Sequence, residues 1–289
     1  MVVCKICGGS NLSYFSKGKT NYSRCKDCLS ISMQPEPSNT DIENHYKKKF
    51  IDGNYELLRR YDEEYRDIYG GFIKKIKNVI NADNKILFNM KVLDVGCFTG
   101  DFLHLASKEG CDVTGYELQK EAVEIANQKL PGKIHEIDVY NNNIKTEYFD
   151  IVCLFGIVEH VLDPQKLIKR SYELLKPNGY LFIQTPNSAS FLSRALGKYW
   201  PPISPIEHIH IFSKSSLMQT VNNEKFSVVD FENHWKSLPI QYVYENLSNF
   251  GPEIKSIIKP FYWLLPNFIK NLSLPFYGGE MIMAAKKGD

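Results

Sequence analysis

Four cysteines open the chain in two pairs, Cys4-Lys-Ile-Cys7 and Cys25-Lys-Asp-Cys28, with 17 residues between the pairs. Two intervening residues let one tight turn aim both sulfurs at a single ion, and Gly8-Gly9 relaxes the backbone behind the first turn. Two such turns supply the four thiolates of a closed tetrahedral zinc site. Zn2+ is therefore expected on Cys4, Cys7, Cys25 and Cys28, in a structural role. Four thiolates and one Zn2+ add −4 + 2 = −2, which offsets the formal net charge of +2. Cys97, Cys111 and Cys153 lie in apolar runs and read as buried thiols.

A second set of residues suits proton transfer. His160, His208 and His210 are imidazoles that can take a proton near neutral pH. His208 and His210 follow the stiff segment Pro201-Pro-Ile-Ser-Pro205, within Glu207-x-x-His210. If that segment is extended, the two histidines face the same side and line one pocket. Asn187, Tyr199 and Trp200 are the expected walls, since an aromatic face suits a sugar ring or an aromatic acceptor.

A third set suits a nucleoside. In Asp94-Val-Gly96-Cys97-Phe98-Thr99-Gly100 the two glycines let backbone approach a ligand, and the helix beyond points unpaired N–H groups at it. Glu117, 21 residues after Gly96, ends the next strand and can accept ribose hydroxyls. Asp138 ends a third strand. The dinucleotide pattern G-x-G-x-x-G is absent.

These residues need elements to hold them. Residues 41–81 read as helical, with Phe72, Ile73, Ile76, Val79 and Ile80 at helical period. Strands are expected at 90–95, 111–118, 133–139, 149–155 and 180–184, alternating with helices at 101–109, 120–129 and 163–175. Residues 226–232 and 279–286 suit a closing antiparallel pair. This alternation argues for a doubly wound α/β fold. Between the last two strands, residues 238–278 form an aromatic-rich insertion carrying Lys255, Lys259 and Lys270. It is read first as a lid or homodimer surface, and third as a peripheral membrane contact for a lipid-linked substrate. Tyr46, Tyr55 and Tyr65 could fold over a bound cofactor.

The chain has 289 residues, with 43% hydrophobic and 24% charged. That composition supports a real core and rules out disorder as the dominant state. Lys and Arg total 35 against 33 Asp and Glu, so no polyanion-wrapping surface is indicated and nucleic acid is not the expected partner. No run approaches the 20 or so apolar residues of a membrane span, and no secretion signal is evident. A cytoplasmic protein is expected.

Val92-Leu-Asp-Val-Gly-Cys-Phe-Thr-Gly100 resembles motif I of class I S-adenosylmethionine-dependent methyltransferases. Phe149-Asp-Ile-Val resembles that family's fourth strand, Val158-Glu-His-Val-Leu-Asp-Pro164 its following loop, and Leu175–Ile183 the turn and strand after that. Glu207–Leu217 resembles a late segment of ubiquinone-type and sugar-modifying members. The resemblance covers roughly residues 88–286. The leading cysteines resemble the zinc-binding leader of some deoxysugar and antibiotic-pathway methyltransferases.

The resemblance implies a mostly parallel seven-stranded sheet and S-adenosyl-L-methionine as cofactor. It puts Gly96 and Gly100 at the methionine portion, Glu117 at the ribose, Asp138 at the adenine amino group and Phe155 along the pocket. Asp94, Cys97, Thr99, Leu118 and Val139 complete the implied cofactor set. Phe98 departs from the family, which often has glycine there. Some relatives bind a divalent ion through a Glu three residues before a Glu-His pair. Here Gly156 stands at that first position, so no catalytic metal is expected.

The organisation expected is a zinc ribbon at 1–38, a helical cap at 39–85 and a methyltransferase domain at 86–289. The expected reaction is O-methylation of a sugar, nucleotide sugar or similar small molecule in polysaccharide or secondary metabolism. Two other readings stand beside it: an RNA base methyltransferase whose zinc module grips RNA, and a non-enzymatic zinc-ribbon binding protein.

Overall fold

Short hydrogen-bonded turns begin the structure, a computed structural model that describes residues 3–51, 62–249 and 252–288. Strands β1 (Leu12–Lys17) and β2 (Thr20–Cys25) form a hairpin, and β3 (Ile31–Gln34) pairs antiparallel with β2. Helix α1 (Asn39–Ile51) follows Ser38, whose hydroxyl accepts from the Asp41 N–H while Asp41 accepts from the Ser38 N–H. Helix α2 (Asp62–Asn81) buries Phe72, Ile73, Ile76, Val79 and Ile80, the stripe its period demands. Tyr55 lies outside the described residues, and Tyr65 belongs to α2.

The central sheet then builds up by crossover connections between parallel strands. In order come β4 (Lys91–Val95), α3 (Asp101–Lys108), β5 (Asp112–Glu117), α4 (Lys120–Lys129), β6 (Ile134–Glu136) and β7 (Phe149–Phe155). After them come α5 (Pro164–Leu174), β8 (Leu175–Pro186), α6 (Phe191–Leu196), β9 (His210–Ile211) and α7 (Lys214–Asn223). The chain closes with β10 (Phe226–Pro239), α8 (Ile240–Glu245), α9 (Pro252–Leu264), α10 (Asn267–Lys270) and β11 (Ser273–Lys287). Sheet order is β10-β11-β8-β7-β4-β5-β6, and only β11 runs against its neighbours. The doubly wound, mostly parallel seven-stranded sheet is thus present.

Alternate residues of each central strand serve opposite faces. Val92, Cys153 and Phe182 pack with α2, α3 and α4, while Leu93, Leu154 and Ile183 pack with α5 and α7. Four strands differ from expectation by several residues. β6 stops at Glu136 rather than 139, because the chain turns away at Ile137–Asp138. β8 starts at Leu175, and the closing pair β10–β11 runs well past both expected ends.

The cysteine-bearing strands share a sheet with the main body. β3 pairs antiparallel with β9, so the order is β1-β2-β3-β9. Tyr22, Ile31, Trp200, Ile203 and Ile211 bury together beneath this seam. Trp200 is accordingly core and not an acceptor-pocket wall: it is fully buried and its Nε1–H donates to the Gly278 carbonyl at 3.0 Å.

Candidate active site

An open α/β sheet offers its crevice where the strand order reverses, at the carboxyl ends of the strands. Here that point lies between β4 and β7, paired as Val92↔Ile151 and Asp94↔Cys153. The loop after β4 turns through Gly96 at φ 69°, where a Cβ would stand 2.2 Å from Ile157 Cδ1, so no larger residue fits without displacing it. Phe98 adopts φ 47°, a left-handed conformation that costs a non-glycine residue about 1–2 kcal/mol. That cost explains why glycine is the easier residue at this position. Thr99 Oγ1 donates to Asp101 Oδ2 at 2.6 Å, and Lys129 pairs with Asp101 at 2.5 Å, which pins the start of α3.

Glu117 reaches across from the end of β5. Its Oε2 accepts from the Phe98 N–H at 3.0 Å, and its Oε1 accepts from the Leu118 and Gln119 N–H groups at 2.7 and 2.9 Å. Asp94 lies buried nearby. Burial first, then the Glu117 carboxylate, pushes its carboxyl well above the usual range. Cys97 is buried and inert, its thiol pushed up by burial and by Asp94 and Glu117. Leu118 and Asp138 are exposed at the rim, and Val139 is buried just behind Asp138. Phe155 stacks on Phe72 with ring centroids 4.2 Å apart and meets Phe102 edge-on at 5.0 Å.

The histidines divide into two groups. His160 and His208 meet with ring centroids 4.7 Å apart, and Glu159 joins them, the three ligand atoms lying within 4.8 Å of one another. These three side chains are grouped closely enough to hold a metal ion. His208 Nδ1 lies 2.6 Å from the Pro202 carbonyl oxygen. A carbonyl only accepts, so Nδ1 carries the proton and Nε2 is the basic nitrogen of the neutral ring. Tyr46 Oη is 2.8 Å from His160 Nδ1, bringing α1 over the pair. The Tyr46 phenol is pushed up by burial and then by Glu207, Glu159 and Glu117.

The same-side expectation for His208 and His210 fails. Ile206 takes φ 70° and the backbone turns through 205–207, so extended alternation begins only at β9. His210 is fully buried in the ribbon seam, with Nδ1 3.0 Å from Ser32 Oγ and Nε2 3.4 Å from Glu36 Oε1. Burial lowers its pKa to about 4, outweighing the pull of Glu36. The folded protein thus holds His210 neutral between pH 6.5 and 4, where the unfolded chain binds a proton, so stability from this site is full above 6.5 and lost on acidification. Relative to His210→Gln, the natural chain should lose about 2 kcal/mol of stability between pH 7 and 5. Urea unfolding at the two pH values tests this, and an unchanged difference would refute it.

Sequence reasoning missed the polar wall beside Gly156. Gln184 Nε2 donates to Glu280 Oε2 at 2.7 Å, and Lys236 pairs with Glu280 Oε1 at 2.6 Å. Next to them His234 is buried against Phe72, centroids 4.9 Å apart, its Nε2 without a hydrogen-bond partner. Glu159 is buried, accepts from Thr185 Oγ1 at 2.9 Å, and is pushed up to about 8 by burial. The available signal was a polar residue flanking an apolar run: Gln184 follows Tyr180–Ile183 in β8, and Glu280 precedes Met281–Ala285 in β11. Asn187 is buried and holds the Ala189 N–H through its Oδ1, and Tyr199 is exposed. Burial first, then Asp101, Asp94 and Cys97, push the Tyr69 phenol of α2 up.

The family described as Methyltransferase domain matches residues 60–230. A ubiquinone biosynthesis O-methyltransferase from Pelagibacter ubique is 30% identical over 208 residues, 64% of this chain and 84% of that one. Another, from Shewanella sp. (strain ANA-3), is 30% identical over 158 residues, covering 50% of this chain and 67% of its own length. Against three further relatives of that name, the matched stretch spans only about half of their length. Among solved structures, an S-adenosylmethionine-dependent methyltransferase from Thermotoga maritima superposes with TM-score 0.52 at 18% identity, covering 84% of this chain and 99% of that one. The YcgJ protein of Bacillus subtilis gives 0.51 at 16% identity, covering 77% and 98%. At these identities the structural likeness concerns the fold.

Proposed function

The chain belongs to the S-adenosylmethionine-dependent methyltransferases of the methyltransferase-domain family, and from that premise we propose that it O-methylates a hydroxyl of a sugar or sugar-linked small molecule. The observation that carries the oxygen chemistry is the His208 ring, whose Nδ1 bond to Pro202 leaves Nε2 as a base beside His160. An alcohol is a poor nucleophile at neutral pH, so removal of its proton is the protein's main chemical task. The names of the relatives support an oxygen acceptor. The hydrogen-bonded wall of Gln184, Glu280 and Lys236 favours an acceptor with several hydroxyls.

The crevice fits the cofactor. Asp94 is a buried carboxyl that a positively charged ligand would stabilise in its ionised form. When bound, the sulfonium supplies an electrophilic methyl group. Gly96 and Gly100 admit backbone to the methionine portion, Glu117 orients the ribose, Asp138 and Leu118 frame the adenine, and Cys97, Thr99, Val139 and Phe155 complete the walls. His208 takes the acceptor proton, His160 holds His208 in place, and Tyr46 closes the chamber from α1. His210 positions the His208 segment through β9.

We assign the four N-terminal cysteines to structural zinc. Cys4 and Cys28 sulfurs are 3.7 Å apart and Cys7 and Cys25 sulfurs 3.6 Å. A tetrahedron with Zn–S bonds of about 2.3 Å has edges of about 3.8 Å, and a disulfide would need about 2.05 Å. The ribbon is taken as residues 1–38, the cap as 39–85 and the catalytic domain as 86–289.

Methyl transfer from labelled cofactor to a panel of nucleotide sugars and free phenols tests the acceptor class, and turnover confined to the phenols would refute the sugar reading. Glu117→Ala strands three backbone N–H groups and removes the ribose acceptor, so cofactor Kd should rise about 10- to 100-fold. Calorimetry measures it, and a change below about threefold would remove Glu117 from the site.

A further inference from the structure

The closing strands extend beyond the sheet as an arm. Glu280 of β11 lies opposite Pro186, the last residue of β8, yet β11 begins seven residues earlier at Ser273, paired with Pro239. At about 3.3 Å per residue the arm reaches about 23 Å past the sheet. It projects from the carboxyl edge, where the Gly96 loop and the histidines lie. Helices α8, α9 and α10 form its tip.

The tip is apolar and uncovered among the described residues. Ile257, Phe261, Trp263, Leu264, Phe268 and Leu272 are each more than half exposed. Ile257, Phe261 and Leu264 recur at helical spacing, which makes one continuous stripe on α9. The tip's internal packing uses other rings: Tyr244 stacks on Tyr262 with centroids 3.7 Å apart. A soluble surface rarely leaves such a cluster to water.

The charge pattern names the occupant. The three tip helices carry Lys255, Lys259 and Lys270 against Glu245 and Glu253, and all three lysines lie in the stretch 255–275, which holds no aspartate or glutamate. Lys255 and Lys259 sit one turn apart on α9, off the apolar stripe, and Lys270 ends α10. Lysines rimming exposed Trp, Phe and Leu match the headgroup and acyl layers of an anionic bilayer. A second copy of the chain would bring the same positive rims together. No described helix is long and apolar enough to cross a membrane, so contact is with the surface. We propose that α9 and α10 dock this protein onto an anionic lipid bilayer, with the carboxyl edge of the sheet facing the membrane.

Co-sedimentation of the full chain with vesicles of phosphatidylcholine, with and without phosphatidylglycerol, tests this directly. Binding should appear with the anionic vesicles and fall by about tenfold or more in Trp263→Glu/Leu264→Glu. Lys255→Gln/Lys259→Gln/Lys270→Gln should lower it by roughly 100-fold at low salt. Both variants should bind S-adenosylmethionine as the natural chain does, since the residues are remote from the crevice. Absence of vesicle binding, equal binding by Trp263→Glu/Leu264→Glu, or light scattering that shows a dimer dissociated by that variant would each overturn the proposal. None of these outcomes touches the methyltransferase assignment, which cofactor binding tests separately.

Discussion

His208→Ala should lower kcat by about 10²- to 10⁴-fold while leaving cofactor Kd within about twofold. The expected split follows from geometry. His208 packs against His160 rather than within the loop after β4, the proposed cofactor loop, and its Nδ1 faces the Pro202 carbonyl, which makes Nε2 the proposed basic atom. His208→Gln should be nearly as slow, because an amide can keep a bond to Pro202 but cannot take a proton. His160→Ala should cost less, as it loosens the base without removing it. A rate restored by millimolar Mg2+ or Mn2+ in His208→Ala would instead make His208 a cation ligand. Single-turnover measurements at saturating cofactor separate chemistry from release.

Cys25→Ser should be the most damaging change to the fold, with Tm lower by about 10 °C or more and methyl transfer lost. Structural zinc sites couple about 10 kcal/mol or more of binding to folding, so one missing thiolate matters far beyond its own contacts. The damage has a route into the active site. Ser213 Oγ donates to the Cys28 carbonyl at 2.6 Å, and Ser188 Oγ donates to the Leu29 carbonyl at 2.7 Å. β3 then pairs with β9, and the Ile209 N–H beside His208 donates to the Glu159 carbonyl at 2.8 Å. Elemental analysis should return one zinc per natural chain and much less for the variant. Full activity in a zinc-free preparation would show that the ribbon and the catalytic segment are independent.

Local signals were strong wherever chemistry depends on neighbours in sequence. The Cys-x2-Cys pairs, the Gly96–Gly100 turn, the acid at the end of β5 and the buried stripe of α2 all follow from short-range spacing, because a turn or a helical face is settled within a few residues. Asp163 before Pro164 signalled a helix start, and Asp163 Oδ1 does accept from the Lys166 N–H. The end of β6 was less legible, since apolar Ile137 and Val139 continue the strand pattern after the chain has left the sheet.

The amino-acid order by itself therefore determined the class of fold, the glycine turn after β4 and the four-sulfur cluster. Only the tertiary structure decided which histidine is which: a positive φ at Ile206 turns His208 toward His160 and sends His210 into the ribbon seam. It also decided that Trp200 is core, that Gln184, Glu280 and Lys236 converge, and that the aromatic insertion stands out on an arm. Each of these depends on residues tens to hundreds of positions apart meeting across strands β3, β8, β10 and β11. Such meetings are set by strand order and by what the core must bury, and periodicity within one segment carries no record of them.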